Sequence, residues 1–269
     1  MVIALILVIV LFLVYLLALR CRSGHALLSD LRSWKYAHRG LHGNGVPENS
    51  MQAFRLALEN GYGIELDIHL LSDGNLAVIH DASLQRTADV DVSIESLTTA
   101  DLKKYHLEGT QETIPTFQEV LDLFDGKAPL IVELKPMHNN HAQLTAAACK
   151  MLDAYKGLYC IESFDPRCIR WLRKNRPDIV RGQLAHNSMQ EGKGKIPFML
   201  RFIMTNLLSN FWNTPDFIAY RFSDRKRLSV QLSRKLWKVQ GVTWTLTSQQ
   251  DFDAAVQENW IPIFEGFKP

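Results

Sequence analysis

The sequence predicts an α/β fold, a (β/α)8 barrel preceded by one apolar N-terminal helix. Three observations carry this expectation. From about Trp34 onward, short β-branched or apolar runs alternate with longer amphipathic stretches, the pattern of βα units around a parallel sheet. About eight such runs fit into roughly 235 residues with no Gly/Pro/Ser-rich linker and no internal repeat, which suits one barrel of ~250 residues better than two domains. No G-x-G-x-x-G follows the first run, so a doubly wound nucleotide-binding sheet would lack its phosphate fingerprint. The composition excludes two further classes. With 47% hydrophobic and 22% charged residues the chain is not disordered, and a net charge of +2 provides no basic field for nucleic acid.

The first element is the uncharged run Val2 to Leu19, VIALILVIVLFLVYLLAL. As a helix it would be ~27 Å long, close to the ~30 Å of a bilayer's hydrocarbon core. No Lys or Arg precedes it, and Ala18-Leu19-Arg20-Cys21 offers no A-x-A cleavage site, so the expectation is an uncleaved single-pass transmembrane anchor in contact with a lipid bilayer. Arg20, Arg22 and Arg32 follow the run and place the C-terminal side on the cytoplasmic face by the positive-inside rule. Cys21, Cys149, Cys160 and Cys168 form no CxxC pair and no disulfide framework, in keeping with a reducing compartment. The expected division is an anchor and flank over residues 1–28 and a barrel over 29–269.

Strands are expected near Tyr36–His38, Gly63–His69, Leu76–His80, Leu130–Lys135, Leu158–Phe164, Ile179–Leu184, Asp216–Tyr220 and Val242–Thr247. Asn49-Ser50 caps a helix that Gly61 stops, and Asp165-Pro166 opens another. Asp73-Gly74 is a hairpin signal that folds the stretch ending at His80 back on the preceding strand. The apolar stretch Lys195 to Asn210 is too short and interrupted to span a membrane; it reads as a barrel helix buried on its inner face, with a lipid-facing segment as the alternative.

The C-terminal ends of barrel strands converge on one face, and there the sequence places His38, Arg39, Glu65, Asp67, His80, Asp81, Glu133 and Lys135. Glu65 and Asp67 are two apart on a strand, so both point to one side, and Glu133 and Lys135 share the same parity. Three converging carboxylates repel one another unless a cation sits among them, and an all-oxygen set favours a hard divalent ion, Mg²⁺ or Ca²⁺. His38 and His80 are candidates for general acid and base near neutral pH, and Arg39 and Lys135 for neutralising a phosphoryl group. Other histidines, including His42 and His186, read as structural.

The run AHRGLHGNGVPENSMQAFRLALENGYGIELDIHLLSDGNLAVIHDASLQRT, followed by IVELKP, resembles the HRG, PEN, ELD, HD and E-x-K blocks of the glycerophosphodiester phosphodiesterase family. Weaker likeness continues in Glu162-Ser163-Phe164-Asp165-Pro166 and Thr243-Trp244-Thr245. The resemblance implies a metal-dependent phosphoric diester hydrolase that splits glycerophosphodiesters into glycerol 3-phosphate and an alcohol. By position it implies His38 and His80 as acid/base residues, Glu65, Asp67 and Glu133 as metal ligands, and Arg39 and Lys135 as phosphate contacts. Glu48 and Asn49 support the site, and Trp244 could wall the glycerol or alcohol moiety. Two alternatives stand beside this reading: lysophospholipase D-type cleavage of lyso- or N-acyl phospholipids, and a non-catalytic membrane-tethered lipid-binding module. The segment Ile261 to Phe267 departs from the family's Gly-hydrophobic-Thr-Asp ending and leaves the role of the C-terminus open.

Overall fold

A computed structural model describes residues 1–190 and 196–269. Eight parallel strands close into a barrel: β1 (Tyr36–His38), β2 (Gly63–Leu70), β4 (Leu130–Leu134), β5 (Tyr159–Ser163), β6 (Arg181–Ala185), β7 (Phe217–Arg221), β8 (Gln240–Leu246) and β9 (Trp260–Phe264), with β1 pairing both β9 and β2 to complete the ring. The remaining strand, β3 (Leu76–Val78), is the arm that Asp73-Gly74 turns back antiparallel onto the end of β2. Thus one of the eight runs read from the sequence lies outside the ring, and the strand that closes it, Trp260–Phe264, was not among them. Its signal is a fully buried five-residue apolar run, obscured by Pro262, a residue that normally argues against a central strand.

Side-chain parity sorts the strands into two layers. Ile64, Leu66 and Ile68 of β2 and Leu130, Val132 and Leu134 of β4 face the surrounding helices, while Tyr36, Ile131, Cys160, Ile261 and Ile263 fill the barrel interior. The alternate positions left over, Glu65, Asp67, Glu133 and Glu162, therefore point inward at the C-terminal end. All four cysteines are buried and unbridged. Ser50 caps the helix Met51–Glu59 by accepting from the Ala53 amide at 3.1 Å, and Asp165 caps Pro166–Asn175 by accepting from Arg167 at 2.8 Å.

The N-terminal run corrects the transmembrane expectation. Its helix covers Val2–Ala18, 17 residues, or ~26 Å, and among the described residues no helix is long and apolar enough to cross a membrane. The physical reason lies at its C-terminal end, which belongs to the barrel. Leu19 and Cys21 are buried in the core, Tyr15 packs against it, and the Leu16 carbonyl accepts from Trp237 Nε1 at 3.1 Å. Arg22 grips the fully buried Asp216 carboxylate with Nε and Nη2 and donates from Nη1 to the Pro177 carbonyl at 2.7 Å. The single-pass membrane localisation, and the cytoplasmic side it set for the barrel, is withdrawn on this finding.

A truncation series reads this packing. Deleting residues 2–14, all exposed, should leave the melting temperature within about 2 °C. Deleting 1–28 removes the Leu19 contact and uncouples buried Asp216 from Arg22, at a cost of roughly 3–5 kcal/mol, or about 6–15 °C for a barrel of this size. Scanning calorimetry of the two truncations checks this, and equal melting temperatures would show that residues 15–28 add nothing to the fold.

The stretch from Lys195 to Asn210, of which Lys195 lies outside the described residues, does not form the inward-facing helix expected. In Phe198–Thr205 only Thr205 is buried, and Phe198, Met199, Leu200 and Phe202 are exposed.

Candidate active site

Strand register assembles the site. His38 sits opposite Glu65, Asp67 opposite Glu133, and Glu133 opposite Glu162, so three adjacent pairings stack inward-pointing groups in one layer at the C-terminal mouth. Arg39 follows β1 with φ near +53°, and Gly40 follows at +81°. A Cβ on Gly40 would stand 2.9 Å from both Ala53 Cβ and the Phe54 ring, so both its backbone angle and its neighbours require glycine here. That turn aims the Arg39 amide at Glu65 Oε2 (3.3 Å), its Nη1 at Glu48 Oε1 (2.9 Å) and its Nε toward Asp67 Oδ2 (3.4 Å). His80 comes from the hairpin arm, two residues past β3. Ile79 N–H donates to the Asp67 carbonyl at 3.0 Å and fixes the arm over the barrel mouth.

His38, Arg39, Glu65, His80, Glu133, Lys135, Glu162, Phe164 and Trp244 line one small cavity of about 110 Å³. The sequence-predicted residues are thus brought together, with Asp67 beneath and Glu48 and Asn49 beside it. Asn49 Nδ2 donates to Asp67 Oδ2 at 2.9 Å, and Glu48 is clamped between Arg39 and Arg86. Each histidine has a carboxylate on Nδ1: Glu265 Oε2 at 2.5 Å for His38 and Asp81 Oδ1 at 2.6 Å for His80. Nδ1–H of each ring donates to its carboxylate, which leaves Nε2 as the reactive nitrogen. The two partners differ, because Arg86 also binds Asp81 (Oδ2, 2.5 Å), while the second group beside Glu265 is His42, whose Nε2 stands 3.9 Å from Oε2.

Oxygens of Glu65, Asp67 and Glu133 lie within 4.8 Å of one another, and all three residues are at most 5% exposed. Burial, then the charges of Asp67, Glu133 and Glu162, drives the Glu65 carboxyl well above its ordinary range. Burial likewise lifts Glu133 to about 7 against the pull of Lys135. Asp67 is buried too, but Lys135, Arg39 and His80 outweigh burial and hold it well below the usual carboxylate range. Lys135 Nζ stands 3.1 Å from Asp67 and 2.8 Å from Glu133, and these anions raise its pKa against the effect of burial. Burial lowers the His80 pKa, countered by Asp67.

A divalent cation fits this donor set. Four inward carboxyls meet only two facing cations, Arg39 and Lys135, which leaves two negative charges when all are ionised, and Glu162 Oε2 and Asn49 Oδ1 are buried without a hydrogen-bond partner. An all-oxygen cluster of this kind suits a hard ion that keeps several positions for water or substrate oxygen.

Residues 38–260 match the glycerophosphoryl diester phosphodiesterase family. The chain belongs to that family. It is 40% identical over 107 residues to a glycerophosphodiester phosphodiesterase of Bacillus altitudinis, a match that spans 37% of this chain and 43% of that relative's length. It is 34% identical over 165 residues to a glycerophosphodiester phosphodiesterase of Caldanaerobacter subterraneus, covering 58% of this chain and 68% of the relative. The fold is shared with an Oleispira antarctica phosphodiesterase solved in complex with the product sn-glycerol-3-phosphate, at a TM-score of 0.70 and 23% identity over 86% of this chain and 92% of that one.

Sequence reasoning missed four contributors to this phosphodiesterase-family site. Glu265 was hidden because β9 was not foreseen. Arg86 lies near the end of the run that carries the resemblance, in the short helix Gln85–Ala88, but was given no role. Glu162 and Phe164 lay within the noted ESFDP block but were given no place, although the parity that selected Glu133 selects Glu162 as well.

Proposed function

We propose that this chain hydrolyses glycerophosphodiesters to glycerol 3-phosphate and an alcohol, with His38 and His80 as the acid–base pair. The observation that carries this reading is the single layer of inward carboxylates flanked by two histidines, each oriented by its own carboxylate. Glu65, Asp67 and Glu133 would hold Mg²⁺ or Ca²⁺, which supplies Lewis-acid stabilisation of phosphoryl charge when bound. Arg39 and Lys135 face the phosphate from the cavity wall, Glu48 and Asn49 keep Arg39 and Asp67 in place, and Trp244 walls the substrate.

His80, kept neutral at pH 7 by burial, accepts the proton of the attacking nucleophile at Nε2. His38 returns a proton from Nε2 to the departing oxygen, and Glu265 Oε2, 2.5 Å from Nδ1, holds the ring in that orientation. A lipid bilayer enters this reading only as a source of substrate. Phosphorus NMR on glycerophosphocholine tests it. The metal-stripped chain should be inactive, and added Mg²⁺ or Ca²⁺ should restore release of glycerol 3-phosphate. Full activity in EDTA, or phosphocholine as the product, would refute the assignment.

A further inference from the structure

Beside the carboxylate layer stands a second group of donors that the reaction does not use as a set. His38 ends β1, Glu265 follows β9, which pairs with β1, and His42 comes from the turn after β1. Atoms of these three residues able to bind a metal lie within 4.8 Å of one another. Glu265 Oε2 is the shared centre, 2.5 Å from His38 Nδ1 and 3.9 Å from His42 Nε2. His42 Nε2 is buried with no hydrogen-bond partner, a state that folded chains ordinarily avoid. The turn fixes that ring: Leu41 N–H donates to the Ala53 carbonyl at 3.0 Å, and Gly43 and Val46 exchange backbone hydrogen bonds at 2.9 and 3.1 Å. Burial lowers the His42 pKa against the pull of Glu265, so the ring is neutral near pH 7 and has a lone pair to give.

Two imidazole nitrogens and one carboxylate oxygen differ in kind from the all-oxygen layer. They suit Zn²⁺, which takes three protein ligands and leaves a fourth position for water. With bonds of ~2.0–2.1 Å, tetrahedral zinc ligands stand ~3.3 Å apart, between the two separations seen here, so a shift of the Glu265 carboxylate by about 1 Å would equalise them. That side chain is 33% exposed and has room to move, and the same opening lets an ion enter. Glu48 and Arg39, the other charged neighbours of His42 besides Glu265, pair with each other at 2.9 Å, so Glu265 sets the charge that an arriving cation meets.

We infer that His38, His42 and Glu265 form a second metal site, which binds Zn²⁺ and thereby switches off hydrolysis. Zn²⁺ takes the place of the proton on His38 Nδ1. The acid form of the ring releases that proton to water. The Nε2 proton that remains can then leave only by turning the ring into a metal-bound imidazolate, so His38 no longer exchanges protons with substrate. The site stands on donor geometry alone; the loss of activity rests also on the hydrolytic reading above.

The test is titration calorimetry of Zn²⁺ into the full chain held in saturating Mg²⁺, beside hydrolysis of glycerophosphocholine under the same conditions. The parent should bind Zn²⁺ and lose turnover at least ~10-fold, and further Mg²⁺ should not restore it. His42→Gln should keep basal turnover within about twofold and weaken both zinc binding and inhibition at least ~10-fold, since even the hydrogen-bond partners of metal ligands are worth ~10- to 100-fold in affinity. Glu265→Gln, read by calorimetry alone, should weaken binding likewise and covers the case in which His42→Gln disturbs its turn. Zinc binding by the parent that both variants lose supports the site even where no diester is cleaved, an outcome that would instead refute the hydrolytic reading. Absence of zinc uptake in Mg²⁺ overturns the site. Inhibition that Mg²⁺ relieves and His42→Gln leaves unchanged overturns it too, because the ion would then sit in the carboxylate layer. Zinc bound at full turnover overturns the switch.

Discussion

Alanine at His38 or at His80 is expected to lower kcat on glycerophosphocholine by ~10² to 10⁴ without unfolding the barrel, since both rings stand at the cavity mouth and neither fills the core. The two variants should part company on a diester with a nitrophenol leaving group. Such an alcohol departs without a proton, so His38→Ala recovers most of its activity and His80→Ala does not. A base must be unprotonated, so activity persists above the His80 pKa and falls as pH drops through it. Burial sets that limb below the ~6.5 of free imidazole. Glu265→Gln keeps an acceptor for His38 Nδ1–H but removes the charge beside the ring, and kcat should fall about tenfold or more. Recovery by His80→Ala and not by His38→Ala would reverse the roles; near parental turnover in either would remove that residue from the chemistry.

The carboxylate layer gives the second large effect. Glu65→Gln, Asp67→Asn and Glu133→Gln keep shape and remove charge, so each should weaken divalent-ion binding at least ~10-fold by titration calorimetry. Stability should move the opposite way in metal-free protein. Glu65 and Glu133 titrate above their unfolded values, so between about pH 4.5 and 7 the folded chain binds more protons than the unfolded one. Stability contributed by these groups is then present at low pH and lost as pH rises. Glu65→Gln should flatten that fall and raise the metal-free melting temperature, while cancelling much of the gain that added metal gives the parent. Unchanged binding isotherms in all three variants would place the ion elsewhere.

Local chemistry alone determined much of this protein. Alternation of apolar runs gave the barrel class; residue parity gave the inward set Glu65, Asp67 and Glu133; and the Asp73-Gly74 turn gave the hairpin arm that delivers His80. Each depends on neighbours a few residues away, where backbone geometry leaves few choices. Features that depend on distant partners were decided by the tertiary structure. The apolar run at the N-terminus read locally as a bilayer segment, but no described helix is long and apolar enough for one, and the end of the run is tied to Trp237 and, through Arg22 just beyond it, to Asp216, over 190 residues away in sequence. Trp260–Phe264 is a strand because β1 and β8 leave a gap for one, which outweighs the propensity against Pro262. Glu265 reaches His38 only because closing the ring brings residues 227 positions apart side by side.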